Sequence, residues 1–558
     1  MRWWLQAILL SLFCAPLFAQ KSATRFGFNY WPQGYGCNVL TDANWNEANK
    51  AAIKSDLDLM RSLDARIIRL NFWPSGCGFE PAQGISSFRP EFNQIQKHLP
   101  ELMKMLHARG LKVIIAFANT YLSSGPEENN PDGLRWWQLS YVGYSNTPDG
   151  FTAFTNDSVK WINGIISAVE ATHPANATVL YYDYQNEYSQ RVPKIGQYLR
   201  ILYDLGRAPA GKRGISVLEV PVDVDAGAHS LKNEIKSRFL DYVDFHSYPA
   251  TAQCPFNADV GQVYGYIKSK FPGSVIVLGE YGGRALQQED LSAASGRNCD
   301  GVFAHVRWDE PQQVEVESAV INGSRGSSIP YVLHWMLWDY TPAAPPPRLL
   351  DDPNNNELQV FGIGYKPHQP KDVLGMYASY FSLAPNPDME IVSNETPQGW
   401  AAGGDQPVQL VSAGPSTSDA ATKSYYARIV RTKATNKAVW IQSDLIPAAG
   451  GSQTYFNAYV RSNMSKVRLE INEYNASRKK TRTVSGPMFT PCRNQASCVE
   501  WHWHNYLHSV GSWSITTRRD TRYVIVAVLG RPNVAPAYLD VDAVSLAQSS
   551  ENAFSDSH

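Results

Sequence analysis

Residues 25–381 alternate eight short apolar runs with amphipathic runs, a pattern that few folds accommodate. The apolar runs, interpreted as strands, are 25–30, 66–71, 112–118, 178–184, 214–220, 242–246, 274–278 and 331–337. Eight strand-then-helix units over this length predict an α/β fold, the (β/α)8 TIM barrel. A doubly wound parallel sheet is the alternative, although no glycine-rich nucleotide-binding fingerprint follows the first run.

The amphipathic runs carry apolar residues every three or four positions, which is the period of a helix. In 47–63 the apolar stripe includes Ile53, Leu57, Met60 and Leu63. The predicted helices include 47–63, 91–109, 156–171, 192–206, 260–270, 310–322 and 371–381. Each lies between two predicted strands or follows the last one, as the barrel requires.

A region of different character begins near Ala384-Pro385-Asn386-Pro387, where the alternation stops. Beyond it, strand-like runs recur between turn-rich segments, and helical periodicity is missing. We therefore expect residues 20–384 to form the barrel domain and residues 385–548 a β-sandwich of the jelly-roll type. The polar residues 549–558 are predicted to be a disordered tail.

Residues 1–19 have the pattern of a secretory signal peptide. Arg2 is the charged start, Trp3 opens a short apolar stretch, and Leu17-Phe18-Ala19 is a suitable cleavage site. The stretch is too short for a good transmembrane helix, and no later segment is apolar enough to span a bilayer. We expect an exported protein, extracellular or periplasmic, without a membrane partner.

The composition describes a folded globular chain, with 44% hydrophobic and 18% charged residues. The formal net charge of −1 gives no electrostatic reason to expect a nucleic-acid partner. Beyond the signal, six cysteines remain, an even number that favours disulfides in an exported chain. Of the fifteen possible connectivities, the simplest joins nearest neighbours: Cys37–Cys77, Cys254–Cys299 and Cys492–Cys498.

Two glutamates carry the chemical argument. Glu187 follows the run 178–184, Glu280 follows the run 274–278, and the two are 93 positions apart. That separation leaves room for two strand–helix units, so both carboxyls fall at the ends of parallel strands. A TIM barrel places its active site at that face. Two carboxyl groups held close together there can cut a glycosidic bond with retention of configuration, without a catalytic cofactor.

Other polar and aromatic residues fall at the same ends of the predicted strands. The candidates for substrate binding are Arg69, Trp73, Asn119, Asn186, His246, Tyr248, Trp335 and Trp338. Trp338 is the preferred sugar platform, because Trp335 has the opposite strand parity and one of the two should lie in the core. The long segment 119–149, with Trp136 and Trp137, is predicted to form a wall of the cleft.

With these residues in place, residues 20–384 resemble clan A glycoside hydrolases, and within them family five, the endoglucanase and endo-mannanase family. The resemblance depends on Ile67-Ile68-Arg69-Leu70, Asn186-Glu187, His246-Ser247-Tyr248, Gly279-Glu280-Tyr281-Gly282 and Trp335-Met336-Leu337-Trp338. It implies that Glu187 is the general acid/base and Glu280 the nucleophile. Two departures are visible: Asn119 stands where cellulase-type members carry histidine, and Tyr188 where proline commonly follows the acid/base.

Retaining hydrolysis needs one ionised and one protonated carboxyl, so the pKa values of the two glutamates must be separated. We expect Arg69 to stabilise the charge on Glu280 and Tyr248 to donate a hydrogen bond to it. Repulsion from that charge would keep Glu187 protonated. Asn186 is suited to bind the sugar 2-hydroxyl.

The second domain resembles carbohydrate-binding modules of families four and nine. The resemblance depends on Asp388-Met389-Glu390, Gly399-Trp400, residues 455–461 and Tyr538-Leu539-Asp540-Val541-Asp542. It implies a structural calcium held by Asp388, Glu390 and Asp542, since hard oxygen ligands suit that ion. Surface or buried acids explain these residues equally well. The candidate sugar-stacking residues are Trp440, Trp501 and Trp503, each of which is equally consistent with a place in the core.

The function predicted from sequence is an exported endo-β-glycanase, with β-1,4-glucan as the first expected substrate and β-mannan the second. The accessory module would raise the local substrate concentration by tethering, and we expect a monomer. An exo-acting β-glycosidase of the same clan is the nearest alternative. A non-catalytic polysaccharide-binding protein is a third, which two intact glutamates disfavour.

Overall fold

The structure of the chain is a computed structural model, which describes the residues of the chain in separate segments. These are residues 24–32, 36–72, 77–82, 85–117, 148–186, 195–218, 240–248, 260–283, 296–297, 303–304, 310–339, 362–366, 369–385, 389, 392–393, 396–404, 410–413, 426–432, 437–462, 464, 466–486, 514–532 and 537–549. The predicted signal peptide and polar tail lie outside them, apart from Ser549.

Eight parallel strands form a closed barrel, which confirms the predicted fold. They are β1 (Arg25–Asn29), β2 (Ile67–Phe72), β3 (Lys112–Phe117), β4 (Val179–Asp183), β5 (Arg213–Leu218), β6 (Tyr242–Ser247), β7 (Val275–Tyr281) and β8 (Tyr331–His334). Each strand pairs with its neighbours in chain order, and β8 closes the ring against β1. All eight strands expected from the apolar runs are present, with ends shifted by a few residues.

Seven helices accompany the barrel in the described part of the chain. They are α1 (Glu47–Ser62), α2 (Pro90–His107), α3 (Pro148–Glu170), α4 (Ile195–Leu205), α5 (Val260–Lys270), α6 (Glu310–Gly326) and α7 (Asp372–Phe381). Helix α3 begins at Pro148, earlier than the expected residue 156, because proline is tolerated in the first turn, where its missing N–H has no partner to lose. None of the described helices is long and apolar enough to cross a membrane.

The described C-terminal region forms two antiparallel sheets, in which the two-residue strand Ile446–Pro447 pairs with Tyr523 and Val524 beside ten longer strands. They are β9 (Trp400–Gly404), β10 (Leu410–Ala413), β11 (Tyr426–Arg431), β12 (Val439–Ser443), β13 (Gln453–Ser462), β14 (Lys466–Tyr474), β15 (Lys480–Ser485), β16 (Ser514–Thr516), β17 (Tyr523–Arg531) and β18 (Ala537–Ser549). One sheet has the order β9-β12-β17-β14-β15 and the other β10-β11-β18-β13-β16. Alternate residues such as Ile441, Phe456 and Val526 share one apolar core, as a β-sandwich requires.

A disulfide joins Cys37 to Cys77, with the two Cα atoms 5.6 Å apart. It links the short 3-10 helix Gly36–Leu40, which follows β1, to the chain just after β2. This confirms the first of the three predicted pairs. The pairs Cys254–Cys299 and Cys492–Cys498 lie outside the described residues.

The sandwich packs directly on the barrel through α1 and the end of α7. Ser62 and Ser545 share a hydrogen bond at 2.5 Å, and both are buried. The Arg61 guanidinium lies 5.3 Å from the centre of the Tyr455 ring. The Leu383 N–H donates to the Leu546 carbonyl at 2.8 Å. The two domains therefore share a buried interface rather than a tether alone.

We expect a truncated chain ending at residue 384 to be less stable than the full chain by about 3 kcal/mol, because three hydrogen bonds of about 1 kcal/mol each are lost. These are the Ser62–Ser545 and Leu383–Leu546 bonds and the bond from Arg66 to the Gln548 carbonyl. Urea unfolding followed by circular dichroism measures the difference. A control chain ending at Ser549 keeps the interface. Equal stability of the two truncations would show that the interface contributes nothing.

Candidate active site

The barrel interior changes from apolar to polar along its axis. Its apolar layer includes Ile67, Ile114, Tyr242, Val277 and Leu333. Since side chains two positions apart share a strand face, the next inward layer consists of the polar residues Arg69 and Asp244 and the side-chain-free Gly279. The polar layer is therefore at the carboxyl ends of the strands, the face that carries barrel active sites.

A bulge in β7 directs Glu280 into this layer. Phe245 pairs with Leu278, but the next residue of β6, His246, pairs with Glu280, so Gly279 is skipped. The pairing with β8 shifts in the same place. Without the extra residue, strand alternation would turn Glu280 away from the barrel interior, because Val277 and Gly279 already point inward. The bulge places the Glu280 carboxyl among the polar residues, only 4% exposed.

Arg69 is the centre of the site and is fully buried. Its Nη1 donates to Glu280 Oε1 at 2.5 Å, and its Nη2 donates to Asp183 Oδ2 at 2.7 Å. Its Nε lies 3.2 Å from Asp244 Oδ2. The planar guanidinium thus contacts three carboxylates, from β4, β6 and β7, through three different nitrogens, a geometry that the single nitrogen of a lysine does not reproduce.

These contacts set the charges of the buried groups. Burial by itself would lower the pKa of Arg69, but Asp244, Glu280 and Asp183 outweigh it and hold that pKa well above its usual value. Burial and the neighbouring Asp244 raise the pKa of Asp183 to about 7, despite the opposing effect of Arg69. Arg69 is therefore a permanent cation, whereas Asp183 carries a proton for part of the time near neutral pH.

Glu280 receives two further contacts from β6 and the residues after it. The Tyr248 hydroxyl donates to Glu280 Oε2 at 2.6 Å. His246 Nδ1 lies 3.3 Å from the same oxygen. The two contacts to Glu280 that the sequence predicted, from Arg69 and Tyr248, are both present. Each carboxylate oxygen faces a donor, an arrangement that favours the ionised form.

Asn186 follows β4 and is part of the same network. Its side-chain oxygen accepts from Arg69 Nη2 at 2.5 Å and from the Ser216 hydroxyl at 3.3 Å. Its backbone N–H donates to the Phe117 carbonyl of β3 at 2.9 Å. The chain is thus held in place up to the residue before Glu187. The proposed contact of Asn186 with a sugar hydroxyl remains a prediction.

The two tryptophans after β8 have different environments. These environments favour Trp335, and not Trp338, as the residue that contacts a sugar. Trp338 is 1% exposed, and its indole N–H donates to Asp56 Oδ1 of α1 at 3.0 Å. Trp335 packs with Met336 and Tyr248, the residue that contacts Glu280. The preference for Trp338 as the sugar platform was therefore wrong: it is a core residue, and Trp335 is the tryptophan beside the site.

Several predicted site residues lie outside the described residues. They are Glu187, Trp73, Asn119, Asp388 and Glu390, together with Trp501 and Trp503 of the second domain. Asp542 lies on β18, but its side chain is outside the description. The acid/base role of Glu187 and the structural calcium remain predictions.

Sequence reasoning missed three residues of the network. Asp183 and Asp244 are acids within otherwise apolar strands, and Asn29 ends β1. Asn29 donates to the Gly279 carbonyl at 2.8 Å and accepts from Arg69 at 3.2 Å. A signal was available for Asp244, since it lies two positions before His246 and must share its strand face.

Asp56 of α1, which is bonded to Trp338, is a buried carboxyl whose raised pKa can be tested through the pH dependence of stability. It accepts from Trp338 and, at 3.0 Å, from the Tyr30 hydroxyl, neither of which is a cation. Burial raises its pKa to about 7, although both hydrogen bonds oppose the shift. The folded protein therefore keeps this proton up to about pH 7, whereas the unfolded chain loses it near pH 4. Stability from this group is fully present at low pH and is lost as the pH rises through that interval.

We expect Asp56→Asn to flatten the pH dependence of the free energy of unfolding between pH 4 and pH 8, by up to about 4 kcal/mol. Asparagine can accept from Trp338 and donate to Tyr30 without titrating. Urea unfolding across that range measures the slope. The matched control is Asp42→Asn, because hydrogen bonds from Lys97 and His98 lower the pKa of that exposed carboxyl. A slope equal to that of the parent protein would contradict the expectation.

Comparison with solved structures finds an exo-β-1,4-mannosidase from Opitutaceae bacterium strain TAV5, at 17% identity and a TM-score of 0.43, over 64% of this chain and 58% of that one. This chain thus spans less than two thirds of the mannosidase. A GH5_18 protein from Streptomyces cattleya, in complex with GlcNAc, matches at 19% identity and a TM-score of 0.40, over 61% of this chain and 75% of that one.

The comparison also finds TmCBM61 in complex with β-1,4-galactotriose, at 16% identity and a TM-score of 0.22, over 30% of this chain and 99% of that one. No protein-family model matches the sequence, and no curated protein matches it. The chemistry assigned to the site therefore depends on the geometry of its own residues.

Proposed function

We propose that this protein is a retaining β-glycoside hydrolase with Glu280 as the nucleophile and Glu187 as the acid/base. One observation carries the proposal: a nearly buried carboxylate at the mouth of a TIM barrel, with Arg69 on one oxygen and Tyr248 on the other. A nucleophilic carboxylate must be ionised, and these donors stabilise that form.

In the first step a Glu280 oxygen attacks the anomeric carbon, and Glu187 gives its proton to the departing glycosidic oxygen. The bond to the leaving sugar breaks as the glycosyl-enzyme ester forms. In the second step Glu187 removes a proton from water, which attacks the same carbon and releases Glu280. The permanent charge of Arg69 lowers the cost of regenerating the carboxylate. Among the described residues, Trp335, beside Tyr248, is the aromatic side chain that we assign to sugar contact.

The more detailed proposal is a secreted enzyme, extracellular or periplasmic, that cuts internal bonds of a polysaccharide, β-1,4-glucan first and β-mannan second. It is supported by the apolar N-terminal leader, by the family-five resemblance and by a second domain packed against the barrel. Polymeric β-glucan and β-mannan, compared with aryl β-glycosides, test it. Oligosaccharide products would support endo action; release of monosaccharide alone would replace it with exo action.

The hydrolase proposal itself is tested by trapping the covalent intermediate. Activated 2-deoxy-2-fluoro-β-glycosides of glucose and mannose slow the second step more than the first, so the glycosyl-enzyme accumulates. Mass spectrometry of the digested protein should place the added sugar on the peptide that contains Glu280. A label on another carboxylate would remove the assignment. Polysaccharide binding with neither label nor turnover would instead indicate a non-catalytic binding protein.

A further inference from the structure

Among the described residues, the charges around Arg69 do not balance if His246 is neutral. Three carboxylates, from Asp183, Asp244 and Glu280, contact this one guanidinium, and all are buried. Buried carboxylates are costly unless each has a compensating charge or proton. A second cation is therefore expected within the cluster.

His246 occupies the position where that cation is needed. It shares a strand face with Asp244 and lies between two of the carboxylates. Its Nε2 is 3.1 Å from Asp244 Oδ1, and its Nδ1 is 3.3 Å from Glu280 Oε2. A neutral imidazole would place a nitrogen lone pair close to one of these carboxylates, whereas the imidazolium places a positive charge beside both.

The Asp244 carboxylate lies between Arg69 and His246, with one oxygen close to each. Its Oδ2 atom lies 3.2 Å from Arg69 Nε. Behind it is Gly279, where a Cβ would overlap the Asp244 carboxylate. The residue skipped by the β7 bulge thus makes room for Asp244, and the same bulge turns Glu280 inward.

We propose that Asp244 is a positioning residue that holds Arg69 and a protonated His246 against Glu280. The effect of Asp244 on catalysis rests on the proposed function, whereas the charge on His246 does not depend on it. Among the residues that the structure describes, Asp244 and Glu280 face His246. Arg69, Asp183 and the hydroxyls of Tyr242 and Tyr248 belong to the same cluster. The raised pKa of Asp183 lets this carboxyl hold a proton for part of the time near neutral pH, which reduces the remaining negative charge of the cluster.

The charge on His246 can be measured on the full chain without substrate. Nitrogen-15 NMR at pH 7, with the signal assigned by comparison with His246→Gln, should show both ring nitrogens protonated. In Asp244→Asn the signal should move to that of a neutral ring, because the anionic partner is gone. A single neutral tautomer in the parent protein would overturn the proposal, whether or not the protein hydrolyses glycosides.

The catalytic consequence is a displaced pH profile. Since a neighbouring cation lowers a carboxyl pKa by roughly one to three units, we expect Asp244→Asn to move the acidic limb of kcat/KM upward by about one pH unit. At pH values on the acidic side of that limb, kcat/KM of Asp244→Asn should be about 10-fold lower than that of the parent protein, with little change in KM. Asp204→Asn, at an exposed acid paired with Arg200, is the matched control. An acidic limb that coincides with the control's would overturn the positioning role.

Discussion

Glu280→Ala is expected to lower glycosidase turnover by about 10⁴-fold or more, because removing a nucleophile leaves only binding and electrostatic effects. The small side chain leaves a space beside Arg69 and Tyr248 at the anomeric carbon. Azide is a small anion that can enter this space and replace the carboxylate. We expect it to restore turnover on an activated aryl β-glycoside and to give an α-glycosyl azide, since only one displacement then occurs.

The matched control is Glu47→Gln, a glutamate at the start of α1 whose side chain is 87% exposed. It should leave kcat/KM within about twofold, since solvated surface changes away from a site have small effects. Steady-state kinetics and NMR of the azide product measure both outcomes. Full activity of Glu280→Ala, or a β-configured azide product, would contradict the nucleophile assignment.

Arg69→Met is expected to destabilise the protein by about 3–5 kcal/mol, since it removes the cation from a cluster of buried carboxylates. Asp183, Asp244 and Glu280 would then take up protons or repel one another. Because Arg69 lowers the pKa of Asp183, its removal raises the folded-state pKa further. The loss of stability should therefore be larger at pH 8 than at pH 5. Urea unfolding at the two pH values measures it.

The same variant should lose most of its activity, because Glu280 would no longer be held ionised. Arg69→Lys is informative beside it: lysine restores a charge but cannot donate to three acceptors in the plane of a guanidinium. We expect it to recover stability more than kcat. Arg518→Met is the control, since Arg518 is exposed and 3.8 Å from Asp520, a pair worth less than about 1 kcal/mol. Equal effects at the two arginines would contradict the central role of Arg69.

The barrel could be predicted because the pattern that specifies each strand or helix lies within a short stretch of the sequence. An apolar run of five or six residues buries both faces of a strand, and an apolar stripe buries one face of a helix. Once eight such units are counted, the active-site end is known, so Arg69, His246, Tyr248 and Glu280 were all identified as neighbours. Arg69 and Tyr248 contact Glu280 as expected, whereas the approach of His246 to Glu280 was not predicted.

The burial of the two tryptophans after β8 could not be predicted from local sequence patterns. Trp335 and Trp338 are three positions apart, and parity along a regular strand cannot settle their burial once the strand has ended at His334. Trp338 is buried in the core, where Asp56 of α1 accepts a hydrogen bond from its indole N–H. That partner is 282 positions away in the sequence. Nothing near Trp338 in the chain could have indicated it.

The amino-acid sequence by itself determined the strand and helix order, the split into two domains and the residues at the strand ends, because local patterning of apolar and polar side chains decides these. Only the tertiary structure decided that β7 bulges at Gly279, that three carboxylates meet one arginine, and that the sandwich packs on α1. Each depends on register and packing between segments far apart in the chain. A one-residue slip in register turns a side chain to the opposite face, so such features exist only once the strands have paired.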